Sequence, residues 1–255
     1  MAPDTAHNDD GAEHALLGGR VRLRQGLHGY RAGMDAVLLA AACDARPGAR
    51  VLDAGCGAGA VLLMVAARRP GVRVVGVERD PAALAQARAN IALNGLGERA
   101  EALAGDAAAP FSRLGLPAFD AVLANPPFFD DPGALRAPAP ARREAWITPE
   151  GLGAWLAFLG KAVREGGSVT IVHRADRLGD LLAGLAHGVG SIQIRPVAPF
   201  AEAPAKRVLV RGVKTGKAPL RLLPPLVLHP SDGGARHTPQ AEAILRGEAD
   251  LGWER

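Results

Sequence analysis

Two periodicities of apolar residues run through the chain. RVLDAG (50–55), VRVVGVE (72–78), AEALAGD (100–106) and FDAVLANPP (119–127) are short apolar runs of the kind that form buried strands. Between them, VLLMVAARR (61–69) and PAALAQARANIALNG (81–95) repeat apolar residues at helical spacing. Pro70-Gly71 ends the first helix, and Pro81 and Gly95 bracket the second. Downstream, the pattern predicts a helix around 148–164, a strand SVTIVHR (168–174), a helix at 176–187, strands near 190–197 and 206–213, and a short helix from about Pro239 to Arg246. Upstream, RVRLRQGLHGYRAG (20–33) alternates Arg with Val and Leu, as an exposed strand does, and a helix runs from Met34 to about Cys43, before the Pro47-Gly48 turn. Residues 1 to about 18 read as a flexible acidic tail. From Phe129 to Ile147 the chain is rich in Pro, Ala and Arg without periodicity, which predicts a long mobile loop over a substrate site. Short strands alternating with helices predict βαβ units and a doubly wound α/β fold. There is no internal repeat, and residues 19–255 read as one domain with an N-terminal cap (20–45) and a basic C-terminal segment (195–255).

Composition narrows this picture only in part. The 255 residues are 48% hydrophobic, enough for a sizeable core and too much for a disordered chain. Cys43 and Cys56 are too few for a disulfide scaffold, and no Cys/His cluster points to a metal. No run of about 18 apolar residues is free of charges and turn formers. The first 19 residues hold four acids and no base, unlike an export signal, so a cytoplasmic, reducing compartment is expected.

The chemistry concentrates at the carboxyl ends of successive strands. Asp53-Ala54-Gly55-Cys56-Gly57-Ala58-Gly59-Ala60 lies between the first strand and helix of the βαβ series, where glycines let a ligand approach the backbone. Gly55, Gly57 and Ala60 fit a loose dinucleotide fingerprint, with Glu78 at the ribose-binding separation. The Asp53 carboxylate would repel a pyrophosphate. It suits S-adenosylmethionine (SAM), which carries an ammonium, a sulfonium and a ribose but no phosphate. Glu78 is placed to accept both ribose hydroxyls, and Asp106 to meet the adenine amine. A helix cap or a solvated strand end is the alternative role for any one of these acids.

Asn125-Pro126-Pro127-Phe128 follows the fourth strand directly. Two prolines stiffen the turn and remove N–H donors, leaving carbonyls and one side-chain amide as acceptors. Such a turn suits an exocyclic amine about to be alkylated: its two N–H groups donate to Asn125 Oδ1 and the Pro126 carbonyl, and Phe128 stacks on the planar base. No general base is assigned.

Taken together, DAGCGAG, VERD, GD and ANPPF resemble the class I SAM-dependent methyltransferases that modify amino groups. LRQGLHGYRAGMDAVLLAA (23–41), NPPFF, VHRADRL (172–178), PAKRVLV (204–210) and the C-terminal Leu-His…Thr-Pro-x-Ala-Glu-x-Ile-Leu-x-Gly narrow the similarity to the tRNA1(Val) (adenine-37-N6)-methyltransferase family, over roughly residues 20–247. The resemblance implies a Rossmann-like, mostly parallel seven-stranded sheet with helices on both faces. It implies that Tyr30, Arg31, Gly33 and Asp35 cap the methionyl end of SAM, that Asp53, Gly55 and Gly57 form its floor, and that Glu78 binds ribose. Asp106 would lie near adenine, Asn125 beside both SAM and the target, and Asn125 through Phe128 would hold the target base. Phe rather than Tyr at 128 departs from many adenine-N6 enzymes and leaves the identity of the base open.

The formal charge of +4 hides segregation. Arg20, Arg22, Arg24 and Arg31 have no acid within 20–31, and Arg195, Lys206, Arg207, Arg211, Lys214, Lys217 and Arg221 face Glu202 alone within 195–221. Arg22, Arg24, Arg31, Arg142, Arg143, Lys206 and Arg207 are the candidate RNA contacts, with tRNA the expected partner. The expected reaction is methylation of adenine N6 in RNA. Guanine-N2 methylation of rRNA, glutamine-N5 methylation of a protein, and noncatalytic RNA binding are the alternatives. A nicotinamide dehydrogenase would leave Asp53 and the NPPF turn unexplained.

Overall fold

The computed structural model describes residues 13–25, 33–127 and 151–253. Strands β1 (Glu13–Leu16) and β2 (Val21–Arg24) precede α1 (Met34–Ala41), β3 (Arg50–Ala54), α2 (Ala60–Arg68), β4 (Arg73–Glu78), α3 (Pro81–Leu93), β5 (Ala100–Ala104) and β6 (Phe119–Ala124). Then come α4 (Gly151–Ala162), β7 (Val163–Arg174), α5 (Leu178–Leu185), β8 (Val189–Ala198), β9 (Arg207–Lys214), β10 (Arg221–Leu222), β11 (Leu226–Val227) and α6 (Pro239–Arg246).

The main sheet runs β10-β8-β9-β7-β6-β3-β4-β5, with β11 also on β8, nine strands in all. Seven are the expected ones, and β10 and β11 are two-residue additions that pair in parallel with the edge strand β8. Pairings from β5 to β7 are parallel, and β9 is antiparallel to both β7 and β8. From β3 the chain builds outward to β5 and then returns to lay β6 on the other flank of β3. That reversal opens a crevice at the carboxyl ends of β3 and β6, where ligands of such sheets bind.

Strand alternation splits the core. Val51 of β3 packs with α1, α2 and α3 on one face, while Leu52 and Ala54 pack with α4 and α5 on the other. Helices therefore cover both faces, as expected of a doubly wound sheet.

The expected flexible tail is too long by several residues. Glu13–Leu16 pairs antiparallel with Val21–Arg24 as a hairpin, and Leu17 is buried. The sequence masks this strand because it is only four residues long and borrows its apolar contacts from distant elements. Residues 1–12 lie outside the described residues, as does the expected loop 129–147.

The last residues form a strap across the amino-terminal end of the sheet. Buried Arg68, in the last turn of α2, donates to the carbonyls of Ile244 and Ala249. Arg69 pairs with Asp250 at 2.7 Å, and Trp253 Nε1 donates to Ala42 O at 2.7 Å. Among the described residues, no helix is long and apolar enough to cross a membrane.

Candidate active site

The glycine loop turns sharply out of β3. Gly55 (φ +70°) and Gly57 (φ +55°) occupy left-handed backbone that favours glycine, but for different further reasons. A Cβ on Gly55 would overlap Cη2 of Trp155, which packs against the loop from α4. A Cβ on Gly57 would meet nothing within 4 Å, so that glycine faces open space at the strand end. Gly55 and Cys56 both donate to Val77 O, at 2.8 and 3.0 Å, tying the loop to β4.

Asp53 is 2% exposed, and its Oδ2 accepts from Leu62 N in the first turn of α2 at 3.0 Å. The carboxylate thus caps α2 from the preceding strand and sits at the positive end of the helix. Burial, opposed by that amide and reinforced by the Glu78 charge, pushes its pKa up to about 7. Its cap bond uses one oxygen, so it retains acceptor capacity toward a cation at the strand ends.

Glu78 joins two loops. Oε2 accepts from Gly57 N at 2.9 Å, and Oε1 from Arg79 N and Asp80 N at 2.9 and 2.8 Å. A carboxylate offers about four lone-pair sites, and three are used here. Two of these contacts fall on Oε1 and one on Oε2, so Oε2 keeps the more acceptor capacity for a ribose hydroxyl. Asp106 Oδ1 accepts from Ala108 N at 2.8 Å, while Oδ2 lies 3.7 Å from Arg79 Nη1, linking the ends of β4 and β5.

β6 pairs with β3 so that Ala124 faces Ala54, and Asn125 and Gly55 follow that last matched pair on their two strands. Asn125 and Pro127 are half-buried and Pro126 is buried. Asp53, Gly55, Gly57, Glu78, Asp106, Asn125 and Pro126 thus gather at the carboxyl ends of four adjacent parallel strands. Phe128, Tyr30, Arg31, Arg142 and Arg143 lie outside the described residues.

The remaining assignments change more. Gly33 precedes α1 in extended backbone (φ −102°), and Asp35, in the first turn, pairs through Oδ2 with Arg207 Nε at 3.0 Å. A proposed cofactor ligand and a proposed phosphate ligand therefore neutralise each other. Arg22 and Arg24 both contact Glu13, at 2.7 and 3.2 Å, so the cluster that has no acid in sequence has one across the hairpin. The C-terminal basic segment is also dispersed. Arg211 pairs with Asp44, Arg195 donates to the Pro224 and Gly252 carbonyls, and Lys214 Nζ donates to Val163 O. Register puts Arg207 beside Arg174 at the ligand end, whereas Lys214 faces Val189 at the other end. Exposed Lys206 stands next to Arg207 at the ligand end.

Two residues that the sequence reading passes over hold the cap strand. Asn94 Oδ1 and Nδ2 bond Arg22 N and O at 2.9 and 2.7 Å, and Asn90 does the same for Arg24 N and O at 2.9 Å each. Four residues of helix rise about 6 Å and two residues of strand about 6.6 Å, so the side chains match the open edge of β2. Asn90 Nδ2 also donates to Ala58 O at 2.9 Å, which fixes the glycine loop. Two amides spaced i, i+4 in an otherwise Ala-rich helix are the signal that could have found them.

Residues 31–137 match the methyltransferase small domain family model. The chain is 32% identical over 216 residues to a tRNA1(Val) (adenine(37)-N6)-methyltransferase of Porphyromonas gingivalis, covering 80% of this chain and 83% of that one. It is 34% identical over 156 residues to a release factor glutamine methyltransferase of Moorella thermoacetica, covering 58% and 54%. Among solved structures it resembles a predicted O-methyltransferase from Agrobacterium tumefaciens, with a TM-score of 0.72, 26% identity, and coverage of 85% and 98%.

Proposed function

Because the chain belongs to the tRNA1(Val) (adenine(37)-N6)-methyltransferase family, we propose that it methylates the exocyclic N6 amine of an adenine in a tRNA anticodon loop. It is a SAM-dependent methyltransferase, and SAM supplies the methyl group as an electrophilic sulfonium. The reading of the site is carried by one observation: Asn125-Pro126 emerges on β6 directly beside the glycine turn that ends β3.

The residues present fit the cofactor. Open space at Gly57, a buried carboxylate at Asp53 and an unused acceptor site on Glu78 complement an ammonium and a ribose. In the proposed mechanism Asp53 attracts the ammonium, Glu78 takes a ribose hydroxyl, and Asp106 contributes near the adenine of the cofactor. Asn125 Oδ1 and the Pro126 carbonyl accept the two N–H groups of the target amine. That arrangement aims the nitrogen lone pair at the cleft and accelerates an in-line displacement chiefly through proximity and orientation. After alkylation the extra amine proton leaves to water. A hairpin loop presents unstacked bases, which lowers the energy of extruding the target. Lys206 at the ligand end adds a phosphate contact, and the enzyme's proposed place of work is the cytoplasm.

Incubation with methyl-labelled SAM and separate pools of tRNA, rRNA and protein, followed by mass spectrometry, tests this reading. N6-methyladenosine in tRNA is expected. N2-methylguanosine in rRNA or N5-methylglutamine in protein would overturn it in favour of a specific alternative.

A further inference from the structure

Three large apolar side chains are exposed among the described residues: Phe200, Leu220 and Leu222. The two leucines flank Arg221 on and beside β10, which pairs alongside the middle of β8 at Gln193 and Ile194. Phe200 is different. It lies in the turn 199–206 joining β8 to β9, and this turn projects from the end of the sheet that carries Asn125. Register establishes that position: Val197 of β8 faces Arg207 of β9, which faces Arg174 at the carboxyl end of β7.

The turn is built to hold one ring outward. Lys206 N donates to Val197 O and Ala203 N to Phe200 O, which closes the turn at 3.0 and 3.1 Å. The other residues from 199 to 205 are three alanines, two prolines and Glu202, so no second large side chain shares the surface with Phe200. Behind the ring stands a short stack: His229 lies 5.6 Å from Phe200, tilted by 48°, and His237 lies 5.4 Å behind His229 at 26°. His229 N donates to Pro199 O at 2.8 Å, its Nδ1 contacts Arg236 O, and His237 Nδ1 lies 3.1 Å from Glu242. The supporting imidazoles are thus fixed, while Phe200 remains 43% exposed.

We propose that Phe200, backed by His229 and His237 and carried on the turn that ends at exposed Lys206, is a stacking platform for an unpaired nucleobase next to the target nucleotide. This inference rests on the reading of the chain as an RNA methyltransferase. A protein partner would require a contiguous apolar patch of a few hundred square ångströms, whereas one isolated ring on a turn that also carries a cation fits a base and its phosphate. β8 lies three strand spacings from β6, about 14 Å at roughly 4.8 Å each. At that separation Phe200 meets a neighbouring nucleotide and leaves the target base to Asn125.

The test compares wild type with Phe200→Ala, Phe200→Leu and Phe200→Trp in binding to fluorescently labelled, unmodified tRNA transcript. SAM affinity and methyl transfer are measured on the same preparations. Loss of one base stack should weaken tRNA binding roughly 5- to 150-fold in the Ala variant. Leu should behave like Ala, Trp should restore binding, and SAM affinity should not change. Because stacking releases no counterions, the salt slope should stay at the wild-type value. If Ala and Leu bind tRNA within twofold of wild type, the platform is refuted and the assigned activity stands. If Leu matches wild type while Ala is weak, the contact is apolar packing and the stacking role is refuted. If the wild-type protein transfers no methyl to tRNA, the functional reading itself falls, and this inference with it. Should Phe200→Ala fail to bind SAM, the Leu and Trp pair decides alone.

Discussion

Asp53 carries two roles that one substitution can separate. Its Oδ2 caps α2 through Leu62 N, while its charge is proposed to attract the cofactor ammonium. Asn at this position keeps an acceptor for Leu62 N and removes the charge. A charged hydrogen bond contributes about 1.5–3 kcal/mol, so Asp53→Asn should weaken SAM binding roughly 10- to 150-fold. The pH dependence follows from a carboxyl pKa raised to about 7 by burial. Below that value the free protein holds a proton that the bound ammonium must displace. Wild-type affinity should therefore fall as pH drops from 7.5 to 5.5, by up to about tenfold per unit, while Asp53→Asn stays flat. Stability has the opposite sign. A raised carboxyl pKa means that the folded state holds the proton more tightly than the unfolded chain. The associated stability is present below pH 3.8 and is lost as pH rises toward 7. The cofactor-free Asn variant should consequently melt higher than wild type at pH 8. Calorimetric titration with SAM across this pH range, together with thermal melts, measures both effects. A SAM dissociation constant in Asp53→Asn within twofold of wild type, with the same pH profile, would refute the cofactor role and leave only the cap.

The other sites give separable outcomes. Gly57→Ala should fold, with about 1–2 kcal/mol of left-handed strain, yet bind SAM poorly because its methyl fills the open space; Gly55→Ala should lose more stability through the clash with Trp155, as paired denaturation and SAM titrations will read. Asn125→Ala should abolish methyl transfer in the labelled-SAM assay while SAM affinity changes little. Lys206→Ala should lower the salt slope of tRNA binding by about 1. Arg68→Ala should destabilise the fold by about 1–3 kcal/mol in urea unfolding, since the Ile244 and Ala249 carbonyls each lose a donor from the guanidinium.

What could be read from the chain depends on range. RVLDAG, VRVVGVE and FDAVLA declare themselves because buried parallel strands are near-continuous apolar runs, and the acids and glycines that follow them stand at the strand ends in order. The pairing of charges could not be read this way. Glu13 meets Arg22 and Arg24 only once the hairpin closes, and Asp35 meets Arg207 across 172 residues. A charge run in sequence therefore overstated the free cationic surface. The i, i+4 spacing marks Asn90 and Asn94 as a pair, but not their partners, which are backbone groups of β2 that no side-chain pattern encodes. Trp155 against Gly55 is a contact between elements separated by 100 residues of chain.

The strap from α6 to Trp253 also sets an order of assembly. Trp253 donates to Ala42 O and Leu251 N to Ala41 O, so the carboxyl end of α1 gains its last partners from residues more than 200 positions later. A chain emerging from the ribosome amino-terminus first can form the β3–α2–β4 unit early. α1, which leads into that unit, stays without its final partners until at least residue 253 has been made. Contacts of such high sequence separation slow folding and form late. The fold therefore carries a built-in delay: the β3–α2–β4 unit is assembled locally, but the carboxyl end of the helix that precedes it gains these two partners from a segment about 210 residues later.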